Sequence, residues 1–314
     1  MRNFYFIFLL LILFSCKTSD SVAEYKVDSN RIKNTVTYLA SDELAGRNTG
    51  TPGIEKAALF LEGELNQYGV KPFFDDYRDN FDVKGTQAFN IVGIVEGNDP
   101  KLKNEYILVG AHYDHIGFGA KVEMDSIANG ANDNATGTAT VLELARFFAK
   151  TKSNKRGIIV AFFSAEEKGL VGSKHLAERF KDENVIPFTV LNFEMTGVPL
   201  NTDEYLAFVT GYDMSNLPQL INSYANENLV GKSPVAVQYN LFKRSDNYAF
   251  YEVLNIPSHT ISTCDLTNFD HYHKVGDEAD IMNYEHMATL SRRMIDVVEK
   301  MANDENATIK LTNE

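Results

Sequence analysis

Imidazoles and carboxylates gather in five segments of the chain, most of them directly after an apolar run. In an open α/β sheet, ligands bind beyond the carboxyl ends of the strands, so residues at those places are candidates for one shared site. The residues concerned are His112 and Asp114 after YILVGA, Asp133 in NGANDNATG, Glu166 and Glu167 after GIIVAFFSA, Glu194 after FTVLNF, and His271, His273 and Asp277 in FDHYHKVGDEAD. Each segment alone is a weak signal, whereas their coincidence indicates a site.

The donor types indicate a metal centre. Imidazoles combined with carboxylates, without a thiolate, suit zinc, or else cobalt or manganese, better than calcium or an iron–sulfur cluster. A catalytic zinc normally takes three protein ligands, so five ligands are too many for one ion. If one carboxylate bridges, two ions receive three ligands each. Such a pair, about 3.5–4 Å apart, can activate a water and polarise a carbonyl together.

The elements that must position these residues alternate along the chain. Apolar runs typical of buried strands are FNIVGIVEG, YILVGAH, GIIVAFFSA, FTVLNFEM, YLAFVTGY and IPSHTIST. Helical periodicity is present at 29–40, 53–68, 137–150, 171–180, 217–228 and 284–301. Apolar strands alternating with helices predict an α/β fold with a mostly parallel sheet. No internal repeat or low-complexity linker divides the chain, so we expect a single domain at 28–314.

The N-terminal segment predicts export. Arg2 precedes an apolar stretch from Phe4 to Phe14, which is too short for a transmembrane helix and typical of a signal peptide at 1–15. The sequence LFSC resembles a bacterial lipobox, so we expect Cys16 to be lipidated and residues 16–27 to form a tether. The protein would then be a membrane-anchored lipoprotein of the periplasm, the outer membrane or the cell surface. A plain cleaved signal or a buried N-terminal helix is the alternative.

The composition of the chain limits the classes of binding partner that we expect. The formal net charge of −13 at pH 7 leaves no basic face for nucleic acid. Cys264 is the one cysteine besides Cys16, so we expect no internal disulfide and a small buried apolar side chain at position 264. Membrane contact is expected through the lipid anchor only, and the oligomeric state is left open.

Together the motifs carry a family resemblance. GAHYDH, GANDNATG, SAEEKGLVGS, NFEMTG and YHKVGDEAD, in this order and spacing, resemble the M28 family of zinc metallopeptidases, which contains many aminopeptidases. The stretch beginning LASDELAGRNTG resembles the family's N-terminal segment, so the similarity extends over about residues 30–301. The resemblance implies a three-layer sandwich of the zinc-dependent exopeptidase type, with a central, mostly parallel mixed sheet flanked by helices.

The resemblance also implies two zinc ions and the residues that hold them. His112 and Glu194 would bind one zinc, Glu167 and His273 would bind the other, and Asp133 would bridge both. His271 is the rival of His273, which is preferred because its spacing to Asp277 matches the family pattern.

Three further roles are implied around the ligands. Asp114 would accept the second imidazole N–H of His112. Glu166 would be the general base, facing the water between the ions while Glu167 faces a metal, because neighbouring side chains of extended backbone point in opposite directions. Tyr272 is a candidate donor to the oxyanion.

The chain departs from the family pattern at two positions. Glu194 stands where aspartate is more frequent, and Asn247 stands in the segment FKRSDNYAF where histidine is expected. Both departures put substrate preference in doubt. Ser245 and Asp246 of that segment are expected to be supporting residues, and the remaining histidines are expected to be surface or packing residues: His115, His175, His259 and His286.

The function that follows is metal-dependent hydrolysis of peptides. We expect an exopeptidase, specifically an aminopeptidase with peptide substrates. The alternatives are a single-zinc glutaminyl cyclase and a non-catalytic binding lipoprotein of the same fold. The pair His112 and Asp114 favours two metals over the cyclase, and Glu166 favours catalysis over binding alone.

Overall fold

The computed structural model describes residues 25–312, which form a nine-stranded sheet and a separate two-stranded hairpin. Cys16 and the rest of the expected export segment lie outside these residues. The strands are β1 Lys71–Pro72, β2 Arg78–Val83, β3 Thr86–Val95, β4 Tyr106–His112, β5 Gly117–Val122, β6 Asp125–Ala128, β7 Gly157–Phe163, β8 Thr189–Glu194, β9 Ala207–Val209, β10 Val230–Gly231 and β11 Ser258–Ser262.

The α-helices lie between and after these strands. They are α1 Ser29–Leu39, α2 Pro52–Tyr68, α3 Gly137–Thr151, α4 Val171–Asp182, α5 Leu217–Ala225, α6 Pro234–Gln238, α7 Asn247–Leu254 and α8 Tyr284–Asn303. Within the described residues, no helix combines the length and the apolar character needed to cross a bilayer.

The centre of the sheet is parallel. Its four central strands run in the order β7-β4-β8-β11, and each neighbouring pair is parallel. Around them, β3 pairs antiparallel with β7, and β9 pairs antiparallel with β11. β1 and β2 add antiparallel to β3, whereas β10 adds parallel to β9. The sheet is therefore mixed, with a parallel core that brings four strand ends to one edge.

Helices cover both faces of the sheet, as the side chains of β4 show. Ile107 and Val109 belong to a large apolar cluster with residues of α1, α2, α3 and α8. Leu108, between them, belongs to a second cluster with residues of α4 and α7. Since successive residues of a strand point to opposite faces, the two clusters form the two interfaces of a three-layer α/β sandwich.

Local sequence signals set several helix ends. The side chain of Asp28 caps α1 by accepting the N–H of Asn30 at 2.9 Å. Pro52 occupies the first turn of α2, where no N–H partner is needed. Gly69 ends α2 with a φ of +74°, a conformation that glycine adopts at little cost.

The structure differs from the sequence-based expectation mainly at short elements. Each of the six predicted apolar runs contains a strand, and each of the six helical patterns contains a helix. The edge strands β1, β2 and β10, the β5–β6 hairpin and the helix α6 were not predicted. The segment FKRSDNYAF, in which the sequence indicated no helix, contains the start of α7 at Asn247. Such short or polar segments carry too little periodicity to be recognised.

A buried arginine ties the N-terminal segment to the strand ends. Arg47 is fully buried, and its guanidinium donates to the carbonyls of Tyr113 at 2.9 Å, Asn129 at 2.7 Å and Gly130 at 2.9 Å. It also donates to the carbonyl of Leu39 at the end of α1. Burial lowers the pKa of Arg47 to about 10, so the side chain is still a cation at neutral pH.

Candidate metal centre and active site

The parallel strands deliver the predicted residues to one edge of the sheet. His112 is the last residue of β4 and Glu194 is the last residue of β8. Glu166 and Glu167 follow β7, the neighbour of β4 on its other side. This edge is the place at which open α/β sheets bind ligands.

Asp133 lies between two imidazoles. Its Oδ1 is 3.3 Å from Nε2 of His112, and its Oδ2 is 3.2 Å from Nε2 of His273. The carboxylate of Asp133 is almost completely buried. Each of its oxygens therefore faces a different histidine, which is the arrangement that a bridging carboxylate requires.

Glu167 also contacts two imidazoles. Its Oε2 is 3.1 Å from Nε2 of His273, and its Oε1 is 3.0 Å from Nδ1 of His115. The structure thus brings His273 into the cluster, whereas His271 is exposed to solvent.

His115, expected to be an ordinary surface or packing residue, is placed by the structure among the donor atoms. Its side chain is completely buried, and its Nδ1 lies 3.7 Å from Oδ2 of Asp133 as well as close to Glu167. Ligand atoms of His115, Asp133 and Glu167 all lie within 4.8 Å of one another, and no other such trio of histidine, cysteine or acidic side chains exists among residues 25–312. Sequence reasoning missed His115, although the motif HYDH contained the signal.

The donor atoms fit a metal ion better than a hydrogen-bond network. Nε2 of His112, Nε2 of His273 and Oε1 of Glu167 are buried, and none has a hydrogen-bond partner within the described residues. The two imidazole nitrogens nevertheless lie 3.3 and 3.2 Å from oxygens of Asp133, and Oε1 of Glu167 lies 3.0 Å from Nδ1 of His115. Around a tetrahedral zinc with bonds of about 2.0–2.2 Å, ligand atoms lie about 3.3–3.6 Å apart. The residues present therefore fit zinc.

Glu194 stands somewhat apart from this cluster. Its Oε2 accepts a hydrogen bond from Ser245, whose Oγ in turn accepts one from Nδ2 of Asn192 at 2.6 Å. Burial, followed by repulsion from Asp133, raises the pKa of Glu194 to about 7. Ser245 thus holds the proposed ligand, the supporting role that the sequence suggested.

Asn247, the second departure from the family pattern, has a structural role. Asn247 is fully buried, and its Nδ2 donates to the carbonyls of Phe242 and Ser258 at 3.2 and 3.3 Å. Its Oδ1 accepts a hydrogen bond from Thr260 at 2.7 Å. Its side-chain amide is thus engaged in joining α7 to β11. Asp246 beside it is also buried, and burial raises the pKa of Asp246 to about 7.

Asp114 holds the glutamate pair instead of the imidazole. Nδ1 of His112 lies 3.1 Å from the backbone oxygen of Asp114, whereas the carboxylate is 3.7 Å away, beyond hydrogen-bonding distance. The carboxylate of Asp114 accepts the backbone N–H of Glu166 at 3.1 Å and that of Glu167 at 3.4 Å. The tautomer of His112 is therefore set by the Asp114 carbonyl, which accepts the Nδ1–H and leaves Nε2 free for a metal.

Glu166 and Glu167 lie in a turn, so the expected extended backbone is wrong. Ala165 has a φ of +59°, and the carbonyl of Glu166 accepts the N–H of Gly169 at 2.8 Å and of Leu170 at 2.9 Å. Residues other than glycine adopt this left-handed conformation at an energetic cost, and such strained residues concentrate at functional sites. The turn, rather than a strand pleat, gives the two glutamates their different surroundings.

Two opposite pKa shifts distinguish the neighbouring glutamates. Burial, reinforced by the charges of Glu194 and Asp246, raises the pKa of Glu166 well above its ordinary value. Burial and the charge of Asp133 would also raise the pKa of Glu167. The adjacent His115 and His273 outweigh them, so the pKa of Glu167 is lowered. Glu167 is thus suited to remain an anionic ligand, and Glu166 is suited to accept a proton.

Asp277 secures the segment that carries Asp133. Its Oδ1 accepts the backbone N–H of Asn132 at 2.7 Å, and its Oδ2 accepts that of Asp133 at 3.0 Å. Asp277 lies four positions after His273, so the segment that delivers this imidazole also holds Asp133 in place. The sequence singled out Asp277 by spacing alone.

Tyr272 lines two pockets beside the glutamates. Its ring stacks on that of His273 with centroids 3.9 Å apart. One is a small cavity next to Glu194, lined by apolar side chains that include Phe208, Leu241 and Leu266 and by polar ones that include Thr210 and Arg244. The other is an open cleft that contains Glu166 and Glu167. Burial raises the pKa of Tyr272, so its hydroxyl is protonated and can donate. Cys264 is a buried free thiol, as expected.

Two curated relatives illustrate the similarity in sequence. A probable zinc metalloprotease of Pyrenophora tritici-repentis is 34% identical over 157 residues, which cover 49% of this chain and 34% of that protein. Leucine aminopeptidase 1 of Trichophyton rubrum is 24% identical over 293 residues, covering 91% of this chain and 71% of that protein. The chain thus spans about a third of the length of the first relative.

Solved structures share the fold. The LapA aminopeptidase of Legionella pneumophila superposes with a TM-score of 0.69 at 24% identity, covering 88% of this chain and 73% of that one. A Bacteroides thetaiotaomicron glutaminyl cyclase, crystallised with N-acetylhistamine, has a TM-score of 0.68 at 17% identity, covering 90% of this chain and 99% of that one.

A family model settles the relationship. The model of Peptidase family M28 matches residues 90–298, which is more than half of the chain. The matched region contains the buried histidines and carboxylates described above. The chain belongs to Peptidase family M28.

Proposed function

We propose that the protein is a zinc-dependent exopeptidase, specifically an aminopeptidase that hydrolyses the N-terminal peptide bond with two zinc ions. The observation that carries the proposal is the position of Asp133, with one oxygen 3.3 Å from His112 and the other 3.2 Å from His273. In this proposal His112 and Glu194 hold one ion, and Glu167 and His273 hold the other. Cobalt or manganese would suit the same donors.

The bound ions would lower the pKa of a water and polarise the substrate carbonyl. Glu166 would accept a proton from the attacking water and transfer it to the leaving amine. Its raised pKa favours this task, because burial makes the carboxylate a stronger proton acceptor than an ordinary glutamate. The hydroxyl of Tyr272, at the border of the cleft, would donate to the oxyanion.

The cavity beside Glu194 suggests a substrate class. The apolar part of its lining, with Phe208, Leu241 and Leu266, suits an uncharged apolar side chain of the N-terminal residue. Tyr272 borders both this cavity and the open cleft, so a peptide could place its first side chain in one and its scissile bond in the other. We therefore propose leucine-like or alanine-like N-terminal residues as preferred substrates.

The test combines metal analysis with a substrate panel. The purified protein should hold two zinc ions per chain and hydrolyse leucyl 4-nitroanilide faster than glutamyl 4-nitroanilide. Asp133→Asn should lower the metal content well below two and abolish hydrolysis. Full activity with a single zinc would contradict the two-ion mechanism.

Glutaminyl cyclisation is the second candidate, because structures of glutaminyl cyclases share the fold. The same preparation should therefore be incubated with a peptide that begins with glutamine. Loss of ammonia without loss of the first residue would indicate the cyclase, whereas release of free glutamine would indicate the aminopeptidase.

A further inference from the structure

We propose that His115 is an additional protein ligand of the second metal ion, the ion assigned to Glu167 and His273. This inference deepens the proposed function and rests on it for the identity of the metal. It gives the second ion four protein donors and the first ion three.

The surroundings of His115 are those of a ligand rather than of a packing residue. Its ring is completely buried, yet neither nitrogen has a hydrogen-bond partner among the described residues. His259 provides the contrast within the same chain. It is equally buried, but its Nδ1 lies 2.8 Å from the Thr210 carbonyl and its Nε2 2.7 Å from the Ser215 hydroxyl. A buried polar atom without a partner is costly, so a bound cation is indicated at His115.

The distances at His115 match those at the histidines already assigned. Its Nδ1 lies 3.0 Å from Oε1 of Glu167 and 3.7 Å from Oδ2 of Asp133. His273 approaches the same two carboxylates at 3.1 and 3.2 Å. Donor atoms of a tetrahedral zinc are spaced by about 3.3–3.6 Å. The ligand atoms of His115, Asp133 and Glu167 lie within 4.8 Å of one another, so the imidazole of His115 is placed as a ligand to an ion held by these two carboxylates.

The ring of His115 is also held in this position. Gly130 packs against it so closely that a Cβ at position 130 would lie 2.4 Å from Cγ of the imidazole. On its other side the ring meets that of His273, edge to face, with centroids 5.6 Å apart. The imidazole is therefore oriented before any ion arrives, which is the condition for tight binding.

The consequence is a difference between the two ions. Four protein donors close a tetrahedral zinc site, whereas three leave a position open for water or substrate. The second ion, with His115, His273, Glu167 and Asp133, should be retained when the first is removed. The first ion, with His112, Glu194 and Asp133, should exchange readily.

The test measures zinc affinity in competition with a chromophoric chelator, for the wild-type protein, His115→Gln and the control His271→Gln. His271 is an exposed histidine of the neighbouring loop. We expect His115→Gln to weaken the tighter of two sites more than about 100-fold, beyond the 10–100-fold effect of residues that only orient a ligand. His271→Gln should bind both ions as the wild type does. X-ray absorption should show one imidazole fewer per chain in His115→Gln.

A smaller loss, or a loss confined to the weaker site, would overturn the assignment of His115 as a ligand. If the metal-free His115→Gln protein fails to fold, His115→Ala is titrated with added imidazole. Recovery of the tight site supports the proposal, and no recovery refutes it. A wild-type protein without peptidase activity would refute the proposed function but leave the metal inference standing.

Discussion

Asp114 fixes the backbone of Glu166: its Oδ1 accepts the Glu166 N–H at 3.1 Å. Its Oδ2 lies 3.4 Å from the N–H of Glu167 and 3.2 Å from the hydroxyl of Thr49. One buried carboxylate thus orients the proposed base and a proposed ligand together. Burial, and then the charge of Glu167, raise the pKa of Asp114 to about 6, so at neutral pH it is mostly the anion that these donors require.

Asp114→Asn should therefore impair both neighbours at once. The substituted amide has only one oxygen, so one backbone N–H of the pair would face an NH2 group. We expect kcat/KM to fall about 10–100-fold and zinc affinity to weaken by a similar factor, as for other residues that orient ligands. Steady-state kinetics and zinc titration measure the two effects.

Asp99→Asn is the matched control for Asp114→Asn. Asp99 accepts two backbone N–H groups in a loop near the surface, those of Lys101 at 2.8 Å and Leu102 at 3.0 Å. This variant should retain activity and zinc. Equal kinetic effects in the two variants would show that Asp114 acts on general stability alone.

Glu166 and Glu167 should have separable roles although they are identical neighbours. Glu166→Gln keeps the size of the side chain but cannot accept the proton, so kcat and kcat/KM should fall together by about 10²–10⁴ with normal zinc content. Glu167→Gln removes a ligand charge, so it should lose zinc and recover part of its activity when zinc is added in excess. Kinetics and zinc content of the two variants check this expectation.

The opposite pattern would reverse the assignment. If Glu166→Gln loses zinc and Glu167→Gln does not, Glu166 is the ligand. If neither variant loses activity, the pair is a solvated charge cluster without a catalytic role.

His259 should make the fold sensitive to acid. Burial lowers the pKa of His259 to about 4, against about 6.5 in an unfolded chain. The unfolded state therefore binds the proton first, and stability is lost as the pH falls from 6.5 towards 4. Between pH 7.5 and pH 5, this residue alone should lower the free energy of unfolding by about 2 kcal/mol.

Urea unfolding of the metal-free protein at the two pH values measures this effect. His259→Gln should show a smaller decrease than the wild type, by about 2 kcal/mol, although it is less stable at pH 7.5. His271→Gln, which changes an exposed histidine, should follow the wild type. The same pH dependence in all three proteins would contradict the role of His259.

Cys16 should anchor the protein to a membrane. We propose that it is lipidated after removal of residues 1–15, which makes the protein an exported lipoprotein. Cys16→Ser should release the protein from membranes or leave an unprocessed precursor, as seen by fractionation and by mass. Cys264→Ser, which changes the other cysteine, should remain membrane-bound. An unchanged size and membrane retention in Cys16→Ser would refute the lipid anchor.

The sequence predicted the fold because its central strands are long and uniformly apolar. GIIVAFF, the whole of β7, is buried along its entire length, and such a run can be read without an alignment. β2, with the sequence RDNFDV, pairs only at the edge of the sheet and is largely polar, so no periodicity marks it. Pairing with β3, a tertiary interaction, makes it a strand.

Those site residues that residue type and spacing identify could be predicted from the sequence. The features that depend on backbone conformation could not. Asp133 and His273 could be identified from motif and spacing. The turn at Ala165, with its φ of +59°, could not, because nothing in SAEE marks an alanine as left-handed. The motif HYDH draws attention to His115, but its place beside Glu167 could not be predicted, because Glu167 follows a different strand.

The hydrogen bonds of Arg47 limit how far the chain can be truncated from its N-terminus. A recombinant fragment starting at residue 90, where the family match begins, would keep all the proposed ligands but lose this cation. The carbonyls of Tyr113, Asn129 and Gly130 would then lose their shared donor. The helices α1 and α2 would be lost with it, uncovering the apolar side chains of the sheet on which they pack. We therefore expect the smallest unit able to fold by itself to be longer than residues 90–298, the stretch that the family model matches.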